Sequence, residues 1–323
     1  MQVLAFWVAG PGRGELRAET LPTAAPGEIR IRALYSGVSR GTESLVFGGH
    51  VPPGEYERMR TPFQSGQFPA PVKYGYASVG RVEEGPPAQL GRTVFCLYPH
   101  QQRYVLPAAA AHLVPPEVPE QRAILAANLE TALNGVWDSG VGPGDRVSVI
   151  GAGSVGCLVA WLIARIPGCD VELVDLNRQR REVAAKLGVR FAHPDAARDG
   201  ADVVLHASGS SEGLALAMRL AAFEATVVEL SWYGDRPVTL PLGQAFHSQR
   251  LTLKSSQVGT VADSKRARWT HSRRMELALA LLAAPELDAL INSESRFEDL
   301  PQVMSRLSSS PGDVIMHRVK YEE

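Results

Sequence analysis

The segment "DRVSVIGAGSVGCLVAWLIARI" restricts the fold more than any other: an apolar run of β type breaks into a glycine turn and continues as an apolar helix. Its glycines stand at 151, 153 and 156, in the spacing G-x-G-x-x-G. That spacing arises often by chance. Here it follows a strand, opens a helix and is answered by Asp175 at the end of the next β-run, "VELVD", about 20 residues beyond Gly156. In such a unit Gly151 permits the tight turn, Gly153 lets the backbone approach a pyrophosphate, and Gly156 lets helix and strand pack closely. Ser154 and Val155 lie at the helix N-terminus, whose amide donors and positive dipole favour an anion. A dinucleotide site is therefore expected. A carboxylate at Asp175 accepts hydrogen bonds from the ribose hydroxyls of NAD and repels the 2′-phosphate of NADP, so NAD(H) is the expected cofactor. Arg178, Arg180 and Arg181 follow; Arg178 is counted with the cofactor site, and all three are expected on the solvent face of a helix.

The alternation continues beyond this unit. "DVELVDL", "ADVVLHASG" and "ATVVELSWY" read as strands, with "RQRREVAAKLG" and "EGLALAMRLA" as helices between them. Short apolar strands alternating with amphipathic helices indicate a parallel sheet covered on both faces. A doubly wound, Rossmann-type domain is expected over 118–261, beginning with the helical run "PEQRAILAANLETALNGVWDSG". From 1 to 117 the texture is different: "QVLAFWV", "EIRIRALYSGV", "YASVGRVEE", "RTVFCLY" and "RYVLP" are β-type runs punctuated by Gly and Pro, which predict a compact, mostly antiparallel sheet or barrel. The tail from 262 reads as two helices, in "RRMELALALLAA" and "FEDLPQVMSRL", then a strand "VIMHRVKY" suited to pairing back into the N-terminal sheet. The expected class is α/β, with a β-rich domain of 1–117 and 262–323 around the dinucleotide domain.

Two domains also suit a chain of 323 residues, which exceeds the range of one hydrophobic core. A net charge of −1 supplies no field for nucleic acid or an anionic membrane surface. The basic run "DSKRARWTHSRR" reads as a solvated helix face. Nowhere do 18 apolar residues run together, and the start has no basic segment before an apolar one, so a cytoplasmic protein with a small-molecule substrate is expected. Cys96, Cys157 and Cys169 match neither a disulfide framework nor a four-cysteine zinc lobe, and are expected as reduced thiols.

The strings "SGVSRGTE", "YGYASVGRVEEG", "GRTVFCLYP", "ETALNGV", "GPGDRVSVIGAGSVGCLVAWLIAR" and "VDLNRQRREVAAKLG" together resemble the medium-chain dehydrogenase/reductase family over nearly the whole chain. The resemblance implies a GroES-like N-terminal domain, a Rossmann domain, hydride transfer to or from a nicotinamide, and a homodimer. It also implies a zinc site that this sequence does not spell. The family's ligand positions fall at Ser39, at Tyr76 and Ala77, and near Ala127, none of which offers a thiolate or imidazole. No bound metal is expected.

Without a Lewis acid, some group must stabilise or protonate the developing alkoxide. By the resemblance, Tyr98 takes the place of an aromatic residue aimed at substrate, Tyr76 fills a former ligand position, and Thr42 with Glu43 matches a proton-relay loop whose register an extra residue in "SRGTE" disturbs. His100 stands two residues beyond Tyr98 and would share its strand face; its ordinary pKa makes it the first candidate for general acid or base. Thr131 matches the residue behind the nicotinamide ring, Ser208 and Gly209 the edge where adenosine passes, and Ser231 and Trp232 the nicotinamide end. His247 is expected in a structural or subunit contact. The leading expectation is a zinc-free NAD-dependent oxidoreductase of an alcohol/carbonyl pair, with weaker likeness to bacteriochlorophyllide hydroxyethyl dehydrogenases. The alternatives are reduction of an activated carbon–carbon double bond, and a non-catalytic dinucleotide-binding sensor or scaffold.

Overall fold

The computed structural model describes residues 1–310 and 312–322. The chain divides into two units, Met1–Ala127 with Met275–Glu323, and Asn128–Arg274. In the first unit, β1 (Gln2–Gly10) and β2 (Arg13–Thr20) form an antiparallel hairpin around Pro11 and Gly12. In β3 (Glu28–Val38), Ile29, Ile31 and Ala33 are buried, with less buried residues between them. That period of two gives the strand a core face and an outer face. It leads directly into α1 (Arg40–Gly48). β4 (Ser78–Glu84) and β6 (Arg103–Pro107) both pair antiparallel with β3, and β5 (Thr93–Cys96) pairs antiparallel with β4.

The second unit takes most of α2 (Ala126–Ser139) and then alternates: β7 (Arg146–Ile150), α3 (Ser154–Ile163), β8 (Asp170–Val174), α4 (Arg180–Lys186), β9 (Arg190–Ala192), β10 (Ala201–His206), α5 (Ser211–Leu220), β11 (Ala221–Glu229) and β12 (Thr252–Ser255). All six strands are parallel, in the order β9-β8-β7-β10-β11-β12. Val149, Leu173, Val204, Leu205 and Val228 are fully buried, as strands covered on both faces require. The strand order reverses between β7 and β10, the position at which open α/β sheets hold ligands beyond their carboxyl ends.

The chain then returns. α6 (His271–Leu281), β13 (Ile291–Arg296), α7 (Leu300–Ser309) and β14 (Met316–Lys320) follow in order. β14 lies antiparallel against β3, with Val319 opposite Ser36, so the tail strand does join the N-terminal sheet. It also pairs in parallel with β13, which makes that sheet mixed.

Residues 262–274 group with the dinucleotide unit, beyond the expected limit at 261. Side-chain bonds explain this: the Ala262 N–H donates to Asn134 Oδ1 at 3.1 Å, and Arg274 Nε donates to Glu130 Oε1 at 3.0 Å. Arg274 is 1% exposed, so the basic run is not uniformly a solvated face; its last residue is an internal tether. Among the described residues no helix is long and apolar enough to cross a membrane.

Candidate functional site

In the second unit the glycine turn separates into positions the chain itself requires and one it does not. Gly151 has φ +102°, and a Cβ there would come 2.7 Å from the Ser208 nitrogen. A Cβ on Gly156 would lie 1.8 Å from the Gly151 carbonyl oxygen. Both sites exclude any other residue on internal grounds. At Gly153 nothing lies within 4 Å of a Cβ, so the bare backbone there faces open space at the start of α3. Asp175 closes the arrangement, because its Oδ2 accepts the Ala152 N–H at 2.6 Å and its Oδ1 the Asn177 N–H at 2.8 Å. The carboxylate is thus held against the glycine turn with acceptor capacity left over. Backbone open to close approach, a helix N-terminus and a fixed carboxylate fit a dinucleotide.

The neighbouring residues are placed unevenly. Ser154 and Val155 open α3, half-buried, and Arg178 is exposed beside the turn. Arg181 is exposed, with its guanidinium 5.1 Å over the Phe191 ring. Arg180 is buried instead of solvent-facing, and its charge reaches the Cys157 thiol, which burial nonetheless pushes up to about 12. Ser208 is exposed, and the Gly209 N–H donates to Ser231 Oγ at 3.1 Å, so three of the expected edge residues do come together. Thr131 and Trp232 are half-buried on α2 and just past Ser231, and His247 is exposed on a short helix.

In the first unit the expected catalytic residues separate. β5 ends at Cys96, and the Tyr98 N–H folds back onto the Cys96 carbonyl at 2.9 Å, which breaks the extended run that would have aligned Tyr98 with His100. Tyr98 stacks on Tyr104 with ring centroids 3.9 Å apart and on Phe63 at 5.3 Å. His100 is 1% exposed and has both ring nitrogens engaged: Nδ1 with Ser36 Oγ at 2.7 Å and Nε2 with Glu43 Oε2 at 2.9 Å. Such a histidine does not touch a ligand directly, contrary to the expectation of a substrate-facing acid or base. Glu43, 3% exposed on α1, also accepts the Ser39 N–H at 2.7 Å, and Tyr321 bonds Ser36 at 3.0 Å. Tyr76 is half-buried, and its phenol has Ser39, Thr42 and Glu43 for neighbours. Burial first, and then the Glu43 charge, hold that phenol well above its ordinary pKa, so it stays protonated and able to donate.

These donors do not fit zinc. Ser39, Tyr76, Ala77 and Ala127 supply no thiolate or imidazole, and Glu43 is already bonded within the unit. Among the described residues no group of three His, Cys, Asp or Glu side chains is arranged to hold a metal ion.

One constellation escaped the sequence reading. His206 and Glu229 end adjacent parallel strands and face each other in register. His206 Nδ1 lies 2.7 Å from Glu229 Oε2, and Nε2 lies 2.6 Å from Ser208 Oγ. Glu229 also accepts the Tyr233 hydroxyl at 2.9 Å and the Ser231 N–H at 2.6 Å. The available signal was a polar residue closing each of two apolar strands, "VVLH" and "VVEL". The small pocket between Arg146, Asp170 and Arg198 lies at the opposite, amino-terminal strand ends, away from all of this chemistry.

Comparison with known proteins agrees with the fold. Residues 147–210 match the family model of ketopantoate reductase PanE/ApbA, which is the span from β7 to the start of α5 that contains the glycine turn. Over its length the chain is similar to D-guloside 3-dehydrogenase of Escherichia coli (strain K12), 23% identical across 92% of this chain and 90% of that one. It is also 28% identical to 2-desacetyl-2-hydroxyethyl bacteriochlorophyllide A dehydrogenase of Cereibacter sphaeroides, across 76% and 79% of the two chains. Among solved structures, an alcohol dehydrogenase from Escherichia coli CFT073 complexed with NADH superposes with a TM-score of 0.77 at 17% identity, covering 99% of each chain. A dehydrogenase from Sinorhizobium meliloti 1021 bound to NADP gives 0.79 at 18%, again covering 99% of each. Together with the two-unit architecture, these relatives define a class of oxidoreductase built from a GroES-like and a Rossmann domain. Relatives and structural neighbours of the chain are zinc-type alcohol dehydrogenase-like proteins and other dehydrogenases, and the chain shares their two-domain fold.

Proposed function

We propose that this protein is a zinc-independent oxidoreductase that uses NAD(H) to interconvert an alcohol and a carbonyl group on a small molecule. The observation that carries the reading is the glycine turn: Gly151 and Gly156 are demanded by the chain's own backbone, Gly153 by nothing within it, and Asp175 is fixed beside them. The nicotinamide supplies or takes the hydride when bound. The protein's tasks are to hold it and to manage the substrate's proton. Tyr76 is the group suited to donating a hydrogen bond to a developing alkoxide, with Thr42 and Ser39 orienting its hydroxyl. Glu43 and His100 act behind it, held to each other at 2.9 Å in the core. The same reading includes a cytoplasmic homodimer, and β12 at the sheet edge, with Leu253 exposed, offers an edge for pairing.

The solved neighbours, one with NADH and one with NADP, leave the choice of dinucleotide to this chain's own residues. Asp175 favours NADH over NADPH by about 1–3 kcal/mol, from a carboxylate facing a 2′-phosphate at an effective dielectric of about 20 or higher. Titration calorimetry of the wild type and of Asp175→Ala tests this. NADH should bind more tightly to the wild type, and the substitution should narrow the gap; equal affinities in the wild type would refute the assignment.

A further inference from the structure

We propose that Ser208, His206 and Glu229 form a nucleophilic triad that hydrolyses small carboxylic esters, an activity separate from hydride transfer. Ser208 is exposed, while the His206 behind it is 0% exposed and Glu229 lies behind that. The two contacts of the imidazole, 2.6 Å to the serine and 2.7 Å to the carboxylate, are within the reach that nucleophile activation needs.

The donor directions follow from chemistry. Glu229 as a carboxylate only accepts, so His206 Nδ1 carries the proton and Nε2 is the acceptor. The Ser208 hydroxyl therefore donates to Nε2. Its oxygen then accepts from Ser210, 3.0 Å away, and Ser210 in turn accepts the Gly213 N–H at 3.0 Å. Every contact runs toward the carboxylate. Three donors converge on Glu229, from His206, Tyr233 and the Ser231 backbone, and the His206 contact leads the groups that hold its acid below the usual range against the opposing effect of burial.

Two further features favour a reacting serine over a buried structural bond. A Cβ at Gly213 would fall 2.2 Å from Ser208 Oγ and 2.7 Å from His206 Nε2, so the hydroxyl keeps its place only beside a glycine. The same glycine is in the first turn of α5, a 10-residue helix whose leading N–H groups have no intrahelical acceptor. The Gly213 N–H is given to Ser210 Oγ and the Leu214 N–H to the Ser210 carbonyl, so it is the positive end of the helix dipole that favours a developing oxyanion beside Ser208.

The step balances without a further reagent. Ser208 Oγ forms a bond to the ester carbonyl carbon as its proton passes to His206 Nε2, and the carbonyl π electrons move to oxygen. The C–O bond to the leaving group then breaks, with the alkoxide taking the proton from Nε2. Water repeats the sequence on the acyl-serine and releases the acid.

Treatment of the purified protein, free of dinucleotide, with a fluorophosphonate probe tests the triad independently of the redox reading. Mass spectrometry should place one adduct on Ser208, and p-nitrophenyl acetate should be hydrolysed above background. Ser208→Ala should abolish both, and His206→Gln should slow both about 10²-fold or more. Glu229→Gln should slow labelling and also move the pH midpoint of its rate downward, since the imidazolium loses its counter-charge. An adduct elsewhere, no adduct, or a His206→Gln rate equal to the wild type would overturn the triad; an unmoved midpoint in Glu229→Gln would remove Glu229 from it.

Discussion

The two units each contain a serine, a histidine and a glutamate joined by hydrogen bonds, and they put the same three residue types to different uses. In the first, Tyr321, Ser36, His100 and Glu43 run in line with contacts of 3.0, 2.7 and 2.9 Å. In the second, Ser210, Ser208, His206 and Glu229 do the same with 3.0, 2.6 and 2.7 Å. The imidazoles are reversed, with Nδ1 toward serine in one and toward glutamate in the other. Distances do not separate them; burial does. Ser36 is 0% exposed and hands its hydroxyl to another core residue, whereas Ser208 opens to solvent. A buried network rigidifies a core and a network with an open end can react, so exposure at the serine is the variable to perturb.

The largest effect is expected from breaking the closed network at its centre. His100→Ala leaves the 3%-exposed Glu43 carboxylate without its imidazole and opens a hole beside Phe6, whose ring packs edge-on to His100. Removing one partner of a buried pair costs about 3–5 kcal/mol. Urea unfolding should show that loss, and a midpoint close to the wild type would mean that water replaces the ring and that the network is not closed. A somewhat smaller effect should appear in catalysis. Tyr76 carries the protonated phenol beside Glu43, so Tyr76→Phe should lower kcat for carbonyl reduction about 10²-fold while NADH affinity stays unchanged. If kcat instead holds within a few-fold, the proton does not leave through Tyr76.

The comparison also marks what a sequence can carry. The glycine turn was legible because backbone geometry dictates its residue types: no side chain fits at Gly151 or Gly156, so the pattern is written directly. The alternation of strands and helices was legible for a similar reason, since both faces of the sheet are covered and the middles of β7, β8, β10 and β11 carry buried apolar residues such as Val149, Leu173, Val204, Leu205, Val227 and Val228. His100 was visible as a candidate, but its partners were not. Glu43 and Ser36 lie 57 and 64 residues away in sequence, and the turn at Leu97 that rotates Tyr98 away from His100 leaves no mark a strand pattern can show. Arg274 was misread for the opposite reason. Its neighbours Arg268 and Arg273 are exposed, so the run as a whole looks solvated although its last side chain reaches inward to Glu130. The His206–Glu229 pair needed strand register, because only the parallel alignment of β10 with β11 sets those two residues opposite each other.

The smallest expected effect is also the most direct measure of the difference between the two networks. Ser36→Ala and Ser208→Ala delete the same hydroxyl from the same kind of bond to an imidazole. At Ser36 the deletion strands two buried groups, His100 Nδ1 and the Tyr321 hydroxyl, with no solvent to replace the lost partner, and a buried polar group left unsatisfied costs about 1–3 kcal/mol. At Ser208 water can take the place of the hydroxyl against His206 Nε2, so the change should stay within about 0.5 kcal/mol, as for surface substitutions in general. Paired denaturant unfolding of the two variants measures the gap. Should both serines cost the same, solvent reaches Ser36 as readily as Ser208, and burial no longer separates a network that supports the core from one that can react.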